Sequence, residues 1–240
     1  MGAERSYVRT LPDGDDDLAP FRIAVITTCF LVSACATTDA SVKWQPRSDA
    51  NFAVEMPAEY QPVGSPDHPN DDYHCFVLDG PEADGFVTGY EILPGVSREV
   101  HHMILVTSLD DETDAQLQAQ DDADPTPGFS CFSNIFDGNI NVLAGWAPGK
   151  NVVHYPEGTG LQVVGGHKLV MQIHYNLLSG TPLPDATALK LTTVPKVAKE
   201  AMIAPIADDD LDVPPGQRAG KYSFIQPLVG MTADVDVYGV

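Results

Sequence analysis

Basic residues are scarce in this sequence, whereas acidic residues are abundant. Its 240 residues include 13 Lys and Arg against 34 Asp and Glu, so the formal net charge is −21 at pH 7. Nucleic acids and anionic membrane surfaces are bound largely through clusters of Lys and Arg. We therefore expect no nucleic acid partner and no electrostatic binding to an anionic membrane.

Cysteines and long apolar runs are also limited. The chain has four cysteines. Neither Cys75 nor Cys131 stands in a Cys-x-x-Cys or Cys-x-His pattern, so cysteine ligation of a metal is not expected. The mostly apolar run at residues 23–34 is too short to span a bilayer comfortably, and it has the length of the apolar region of a signal peptide.

The apolar run ends in a second motif that is typical of exported proteins. Leu31-Val32-Ser33-Ala34-Cys35 resembles the lipobox of bacterial lipoproteins, in which cleavage precedes the cysteine and a lipid is attached to it. The resemblance implies a signal peptide and lipobox at residues 1–35, a lipid anchor on Cys35, and an exported protein of the outer membrane or periplasm. Acidic residues between positions 13 and 17 depart from the positive charge of a signal peptide. A later start of translation, or a buried core strand in place of a signal, therefore stays open.

The rest of the composition favours strands and turns. Twenty Gly, twenty Pro and 43% hydrophobic residues are typical of a packed, turn-rich β-protein. Short apolar segments separated by turn residues predict an antiparallel β-sandwich. These segments are residues 72–78, 85–93, 139–146 and 161–164, and the acidic stretch at 110–124 is expected to form a solvated loop or a short helix.

Two further apolar segments hold three of the seven histidines. Residues 100–106 contain His101 and His102, and residues 170–175 contain His174. Histidine is usually exposed or half buried, so three of them in apolar strands need an explanation. Imidazole suits copper, zinc, iron and nickel, and three imidazoles complete a small metal site. The alternative is a set of core histidines that are satisfied by hydrogen bonds.

Strand geometry sets a condition on this metal site. Adjacent strand residues point to opposite faces, so His101 and His102 can reach one ion only if the strand bulges or ends there, or if one uses Nδ1 and the other Nε2. His174 should share its face with Val170 and Gln172. We therefore expect a ligand on that face to lie at the rim of the sandwich.

The histidine segments resemble those of a known family. His101-His102-Met103, followed by Met171-Gln172-Ile173-His174-Tyr175, is similar to the copper- and ascorbate-dependent monooxygenases related to peptidylglycine α-hydroxylating monooxygenase and dopamine β-monooxygenase. Tyr73-His74-Cys75-Phe76 resembles the first core strand of that family. Residues 145–149 and 155–160 resemble the segment before its third histidine. The resemblance covers most of the chain.

This resemblance implies an all-β fold of two consecutive jelly-roll-like domains, with their coppers facing each other across a cleft. It implies a first copper domain at residues 69–198. Residues 36–68, which hold several Pro and Gly and show little periodicity, are expected to be a tether and entry segment before it. Residues 199–240 would then be a linker and the incomplete start of a second, similar domain.

The resemblance also implies a function. His101, His102 and His174 would hold the copper that passes electrons from ascorbate, while a second copper would use O2 to hydroxylate a C–H bond of a small-molecule or peptide substrate. The family's second copper needs a His-x-His pair and a later Met, but no histidine follows His174. We therefore expect a truncated chain that binds one copper and is inactive alone. The alternative is a surface copper-binding or electron-transfer module without hydroxylase activity.

Expectations also follow for the cysteines and for the histidines outside the proposed metal site. If Cys29 leaves with the signal and Cys35 carries lipid, Cys75 and Cys131 can form one disulfide in an exported protein. A disulfide that closes the loop from Cys75 to Cys131 would stabilise the fold by about 4 kcal/mol through chain entropy. The alternative is that both cysteines are buried free thiols. Met103 is expected in the core. His68, His74, His154 and His167 are expected to be exposed polar residues at strand ends, with a supporting role beside the metal as the alternative for His154 and His167.

Overall fold

A computed structural model of the chain describes residues 49–132 and 138–204, together with Gly216 and Val237. Eleven strands and one α-helix lie within these residues, and a short 3-10 turn follows the ninth strand. The elements are β1 (Phe52–Glu55), β2 (Asp71–Asp79), β3 (Gly85–Leu93), β4 (Val100–Ser108), α1 (Asp111–Ala123), β5 (Phe129–Ser130), β6 (Ile140–Trp146), β7 (Val152–His154), β8 (Thr159–Val163), β9 (Lys168–Asn176), β10 (Ala188–Val194) and β11 (Lys199–Ala201).

The strands form two sheets. One sheet has the order β1-β10-β3-β8-β11, with β7 also paired to β3, and the other has the order β5-β2-β9-β4-β6. The named strand pairs are antiparallel, except for the parallel pair of β8 and β11. Apolar side chains from both sheets form one buried cluster between them. The all-β sandwich expected from the sequence is therefore confirmed.

The alternation of β9 decides which side chains enter this core. Met171, Ile173 and Tyr175 are fully buried in the cluster between the sheets. Val170 and Gln172 point to the outer face of the five-stranded sheet, as a two-residue period requires. Val170 packs there in a second, smaller apolar cluster that includes Leu117 of α1. His174 shares this outer face, so the strand presents it away from the core.

The acidic stretch after β4 forms a helix. Asp110 caps α1 by accepting a hydrogen bond from Thr113 N at 2.8 Å, an interaction that satisfies one of the free N–H groups of the first turn. Acidic side chains in this turn also suit the positive end of the helix dipole. Thr113 and Leu117 are the buried residues of α1, so the helix lies as a mostly polar cover on the outer face of the sheet.

A disulfide joins Cys75 of β2 to Cys131 beyond β5. Both sulfur-bearing residues are buried in the smaller apolar cluster. Gln172 of β9 donates a hydrogen bond from Nε2 to the Cys131 carbonyl oxygen at 2.9 Å. The predicted pairing of the two cysteines is thus confirmed, and the alternative of two free thiols is wrong.

The sandwich includes residues outside the range 69–198. β1 pairs with β10, and Tyr60 is buried in the core beside it, although both lie in the segment assigned above to a tether. β11 likewise lies in the segment assigned to a linker. These pieces are too short to show a clear two-residue period in the sequence. The proposed lipobox with Cys35, and nearly all of residues 205–240, lie outside the described residues.

In the described part of the chain, no helix is both long enough and apolar enough to cross a membrane.

Candidate metal centre

A β-bulge brings the adjacent histidines of β4 together. In the pairing of β4 with β9, Val100 lies opposite Tyr175, but His102 lies opposite His174. His101 is therefore the extra residue of a bulge, which re-aims side chains at such positions. The strand meets the condition set by its sequence, because both imidazoles now lie beside His174.

The three imidazoles converge through the same type of nitrogen. The Nδ1 atoms of His101 and His174 are 3.1 Å apart, those of His102 and His174 are 3.2 Å apart, and those of His101 and His102 are 3.4 Å apart. One possibility considered above was that His101 and His102 would use different ring nitrogens. The structure shows instead that both rings face the cluster with Nδ1. Three atoms about 3.2 Å apart have a common centre about 1.9 Å (3.2/√3) from each, close to the roughly 2.0 Å of a metal–imidazole bond. The donor set therefore fits one copper ion.

The cluster lies near the ends of β4 and β9, on the outer face of the five-stranded sheet. His174 is 6% exposed, His102 is half buried, and His101 is exposed. A metal ion can therefore approach from solvent on the side of His101, while the other two rings are anchored in the sheet. A ligand on this face was expected at the rim of the sandwich, and the position of the cluster near the strand ends is consistent with that expectation.

Two residues of β2 hold the ring of His174. Its Nε2 donates a hydrogen bond to Asp71 Oδ1 at 2.8 Å, which leaves the Nδ1 lone pair directed at the other histidines. The Tyr73 ring stacks on the His174 ring with centroids 4.0 Å apart and an interplanar angle of 8°. The same tyrosine meets His102 edge-on at 5.9 Å. The imidazole is thus fixed both in its plane and across its face.

Electrostatics favour neutral imidazoles in the cluster. Burial, followed by the neighbouring His174 and His101, lowers the pKa of His102 to about 4. Burial also lowers the pKa of His174, although the hydrogen bond that its ring donates to Asp71 acts in the opposite direction. Metal binding requires the neutral ring, so these two residues are ready to bind a cation at neutral pH.

The other histidines lie apart from this cluster. His74 is buried, contrary to expectation, because its Nε2 is 2.8 Å from the Pro127 carbonyl oxygen and its ring stacks on Tyr60. His154 is exposed at the end of β7. His68 is exposed as expected. Met103 is buried in the core, as its place in the strand predicts.

His167 forms a separate contact with α1. Its Nδ1 is 2.8 Å from Asp114 Oδ2 and 3.9 Å from Asp111 Oδ1. Asp114 also accepts a hydrogen bond from Lys168 N, and the Asp111 side chain is fully exposed. We read this group as the polar attachment of the helix to the start of β9 and assign no metal to it.

Asp71 was not recognised from the sequence as part of the site. Its link to His174 spans 103 positions and depends on the register in which Tyr73 pairs with His174. A two-residue period on β2 could have placed Asp71 and Tyr73 on one face, but only the strand pairing shows which histidine they meet.

Comparison with known proteins agrees with this geometry. Residues 57–181, just over half of the chain, match the family described as the N-terminal domain of copper type II ascorbate-dependent monooxygenases. The chain is also 32% identical over 88 residues to a tyramine beta-hydroxylase of Caenorhabditis briggsae, a match that covers 35% of this chain and 14% of that protein. The chain therefore spans only a small part of this relative. By the family match, this chain belongs to the copper type II ascorbate-dependent monooxygenases, in which it corresponds to the N-terminal domain.

Proposed function

We propose that His101, His102 and His174 bind one copper ion, and that this domain relays single electrons in a copper- and ascorbate-dependent monooxygenase that hydroxylates a C–H bond with O2. The observation that carries this proposal is the convergence of three Nδ1 atoms within 3.4 Å of one another. The match of residues 57–181 to the family supports the choice of metal and of reaction.

The donor set favours copper over harder cations. All three donors are imidazole nitrogens, whereas magnesium, calcium and manganese prefer carboxylate, carbonyl and water oxygens. Among divalent metals of the first row, Cu²⁺ binds a given nitrogen site most tightly. Zinc also accepts three histidines, so a test of the proposal must compare the two ions.

The residues of the site have separate tasks. His102 and His174 present neutral donors from a partly desolvated position, and the bulge at His101 supplies the third donor on the solvent side. Copper, when bound, would supply one-electron exchange between Cu(I) and Cu(II). The exposed ring of His101 leaves that side open to a reductant such as ascorbate.

Substrate oxidation is assigned to residues outside this cluster. The family's oxygen-binding copper uses a His-x-His pair and a later methionine, and no histidine follows His174 in the sequence. We therefore propose that these 240 residues bind one copper and do not hydroxylate a substrate by themselves. The substrate, a small molecule or a peptide, would contact other parts of the complete enzyme.

We further propose that the protein is exported and anchored by a lipid on Cys35 at the outer membrane or periplasm. The disulfide between Cys75 and Cys131 supports export, because such bonds persist in oxidising compartments. A Cys35→Ser variant should move from the membrane fraction to the soluble fraction of the same compartment. Retention of that variant in the membrane would contradict the anchor.

Copper titration of the purified protein tests the metal site. The wild-type chain should take up one copper ion, and it should keep that ion when an equal amount of zinc is added. His174→Ala should lose most of this affinity because one of three donors is gone. His154→Ala is the matched control, since His154 is exposed and lies on the other sheet. Equal uptake by the wild type and His174→Ala would remove His174 from the site.

A second candidate is a copper-binding or electron-transfer module without a hydroxylase partner. It is favoured by the completeness of the three-histidine cluster within one sandwich. The reading frame beyond codon 240 separates the two proposals. A His-x-His pair encoded within about a dozen codons would favour the monooxygenase, and its absence would favour the module.

A further inference from the structure

One histidine of the cluster is held differently from the other two. His174 directs Nδ1 to the cluster and Nε2 to Asp71. Among the described residues, the hydrogen-bonding contacts of the His101 and His102 rings are those within the cluster itself. The carboxylate of Asp71 therefore acts on one of the three donors.

The sheet register fixes this contact. Tyr73 lies directly opposite His174, and Asp71 lies two residues earlier on β2. Both face the same side of the sheet, so Asp71 is a diagonal neighbour of His174, at a spacing that a side chain of this length can bridge. The contact is thus a consequence of strand pairing and needs no loop to form it.

Asp71 and the adjacent Asp72 have different roles. Asp72 is buried, and its Oδ2 accepts hydrogen bonds from Tyr60 Oη and Val63 N, which lie outside the cluster. The Asp71 side chain is 40% exposed, whereas the side chain of His174 to which it bonds is 8% exposed. Asp72 therefore forms hydrogen bonds with Tyr60 and Val63, outside the cluster, whereas the carboxylate of Asp71 is directed at the histidine cluster.

We propose that Asp71 is a positioning residue, whose carboxylate fixes His174 in the Nε2–H tautomer and strengthens Nδ1 as a donor to copper. This inference rests on the copper site proposed above. A carboxylate that accepts the distal N–H of a ligating histidine orients the ring and increases its basicity. A more basic donor favours Cu(II) over Cu(I), so Asp71 also lowers the reduction potential of the site.

The tautomer can be measured without any metal. Long-range ¹H–¹⁵N NMR of the copper-free wild-type protein should show the Nε2–H tautomer of His174 as the dominant neutral form. Asp71→Ala should populate both tautomers because the acceptor is lost. Asp71→Asn should retain the Nε2–H form, since its side-chain carbonyl can still accept the hydrogen bond.

Copper alone is the probe for the second measurement. Asp71→Ala should bind Cu(II) about 10- to 100-fold more weakly than the wild type, with a reduction potential shifted upward. Asp71→Asn should lose less affinity but show the upward shift of potential, because it keeps the hydrogen bond and removes the charge. Asp67→Asn is the matched control: it removes one exposed carboxylate of the same type and should change neither quantity. Thermal unfolding of each variant verifies that it is folded.

The outcomes separate this inference from the proposed function. A wild-type protein that binds no copper would overturn the copper site, and the tautomer in the metal-free protein would then decide the role of Asp71. A wild type that binds copper, together with an Asp71→Ala variant of unchanged tautomer, affinity and potential, would overturn the inference alone. Equal effects in Asp67→Asn and Asp71→Asn would also overturn it, because they would reflect net charge and not the contact with His174.

Discussion

Three imidazole nitrogens determine what this surface can bind. A neutral imidazole has one donor and one acceptor nitrogen. Because Nε2 of His174 donates to Asp71, its Nδ1 is an acceptor that faces the Nδ1 atoms of His101 and His102. That acceptor nitrogen has one lone pair, so it can accept a full hydrogen bond from only one of the two rings that face it. A bound cation satisfies all three at once, and this is the physical reason to read the cluster as a metal site.

The contact of His167 with Asp114 leads to a prediction about pH at the residue scale. The hydrogen bond to Asp114, with the charges of Asp114, Asp111 and Asp110, raises the pKa of His167 above its ordinary value, although burial opposes this shift. A raised pKa in the folded state means that the protonated ring stabilises the protein. This contribution is fully present below the ordinary value of about 6.5 and is lost as pH rises through the folded pKa.

We therefore expect the free energy of unfolding of the wild type to fall more between about pH 5.5 and about pH 8.5 than that of His167→Gln. Urea unfolding at the two values of pH provides the measurement. His154→Gln serves as the control, since the exposed His154 has no carboxylate partner among the described residues. Identical pH dependence in wild type and His167→Gln would contradict the assigned contact.

At the scale of elements, the bulge in β4 and the register of β2 on β9 assemble the site. The apolar runs and turn residues of the sequence predicted six of the eleven strands and the sandwich. The apolar setting of His101, His102 and His174, together with the resemblance to a family, selected these three residues. The sequence alone left open whether the strand bulges at the adjacent histidines. Asp71 was missed because cross-strand register is a long-range property that no local pattern encodes.

The burial of His74 also could not be predicted from local sequence patterns. It was expected to be exposed at the end of a strand, yet it is 2% exposed. Its contacts come from Tyr60 and Pro127, which belong to segments without a regular pattern. Side chains whose partners lie in irregular segments were therefore the least predictable.

The docking of α1 gives a prediction at this scale. Leu117 is the buried apolar residue of the helix and packs in the smaller apolar cluster on the outer face of the sheet. Leu117→Ala should lower the free energy of unfolding by about 2–4 kcal/mol, since it removes buried methyl groups and leaves a cavity. Chemical unfolding measures the loss. The exposed control Gln116→Ala should change it by less than about 0.5 kcal/mol, and equal effects of the two substitutions would show that the helix is not docked.

At the scale of the whole molecule, the inner and outer faces of the five-stranded sheet have different roles. The space between the sheets holds the buried apolar cluster, whereas the outer face of the five-stranded sheet carries the disulfide, the helix and the histidine cluster. The disulfide restrains the loop between β2 and the segment beyond β5, with a sequence separation of 56. It thereby ties down the strand that supplies Asp71 and Tyr73.

Removal of this disulfide should destabilise the domain without removing the metal ligands. The double variant Cys75→Ala/Cys131→Ala should lose about 2–5 kcal/mol of unfolding free energy. Urea unfolding of the variant, compared with the wild type in the presence and absence of a reductant, measures this loss. Reduced wild type and the double variant should behave alike, and a variant as stable as the oxidised wild type would contradict a structural role for the bond.

The X-ray absorption spectrum of the copper-loaded protein tests the central claim most directly. We predict three imidazole nitrogens at about 2.0 Å from a single copper ion in the wild type and fewer in His174→Ala. Copper with sulfur or mainly carboxylate ligands, or the same spectrum in both proteins, would contradict the assignment of His101, His102 and His174 as its ligands.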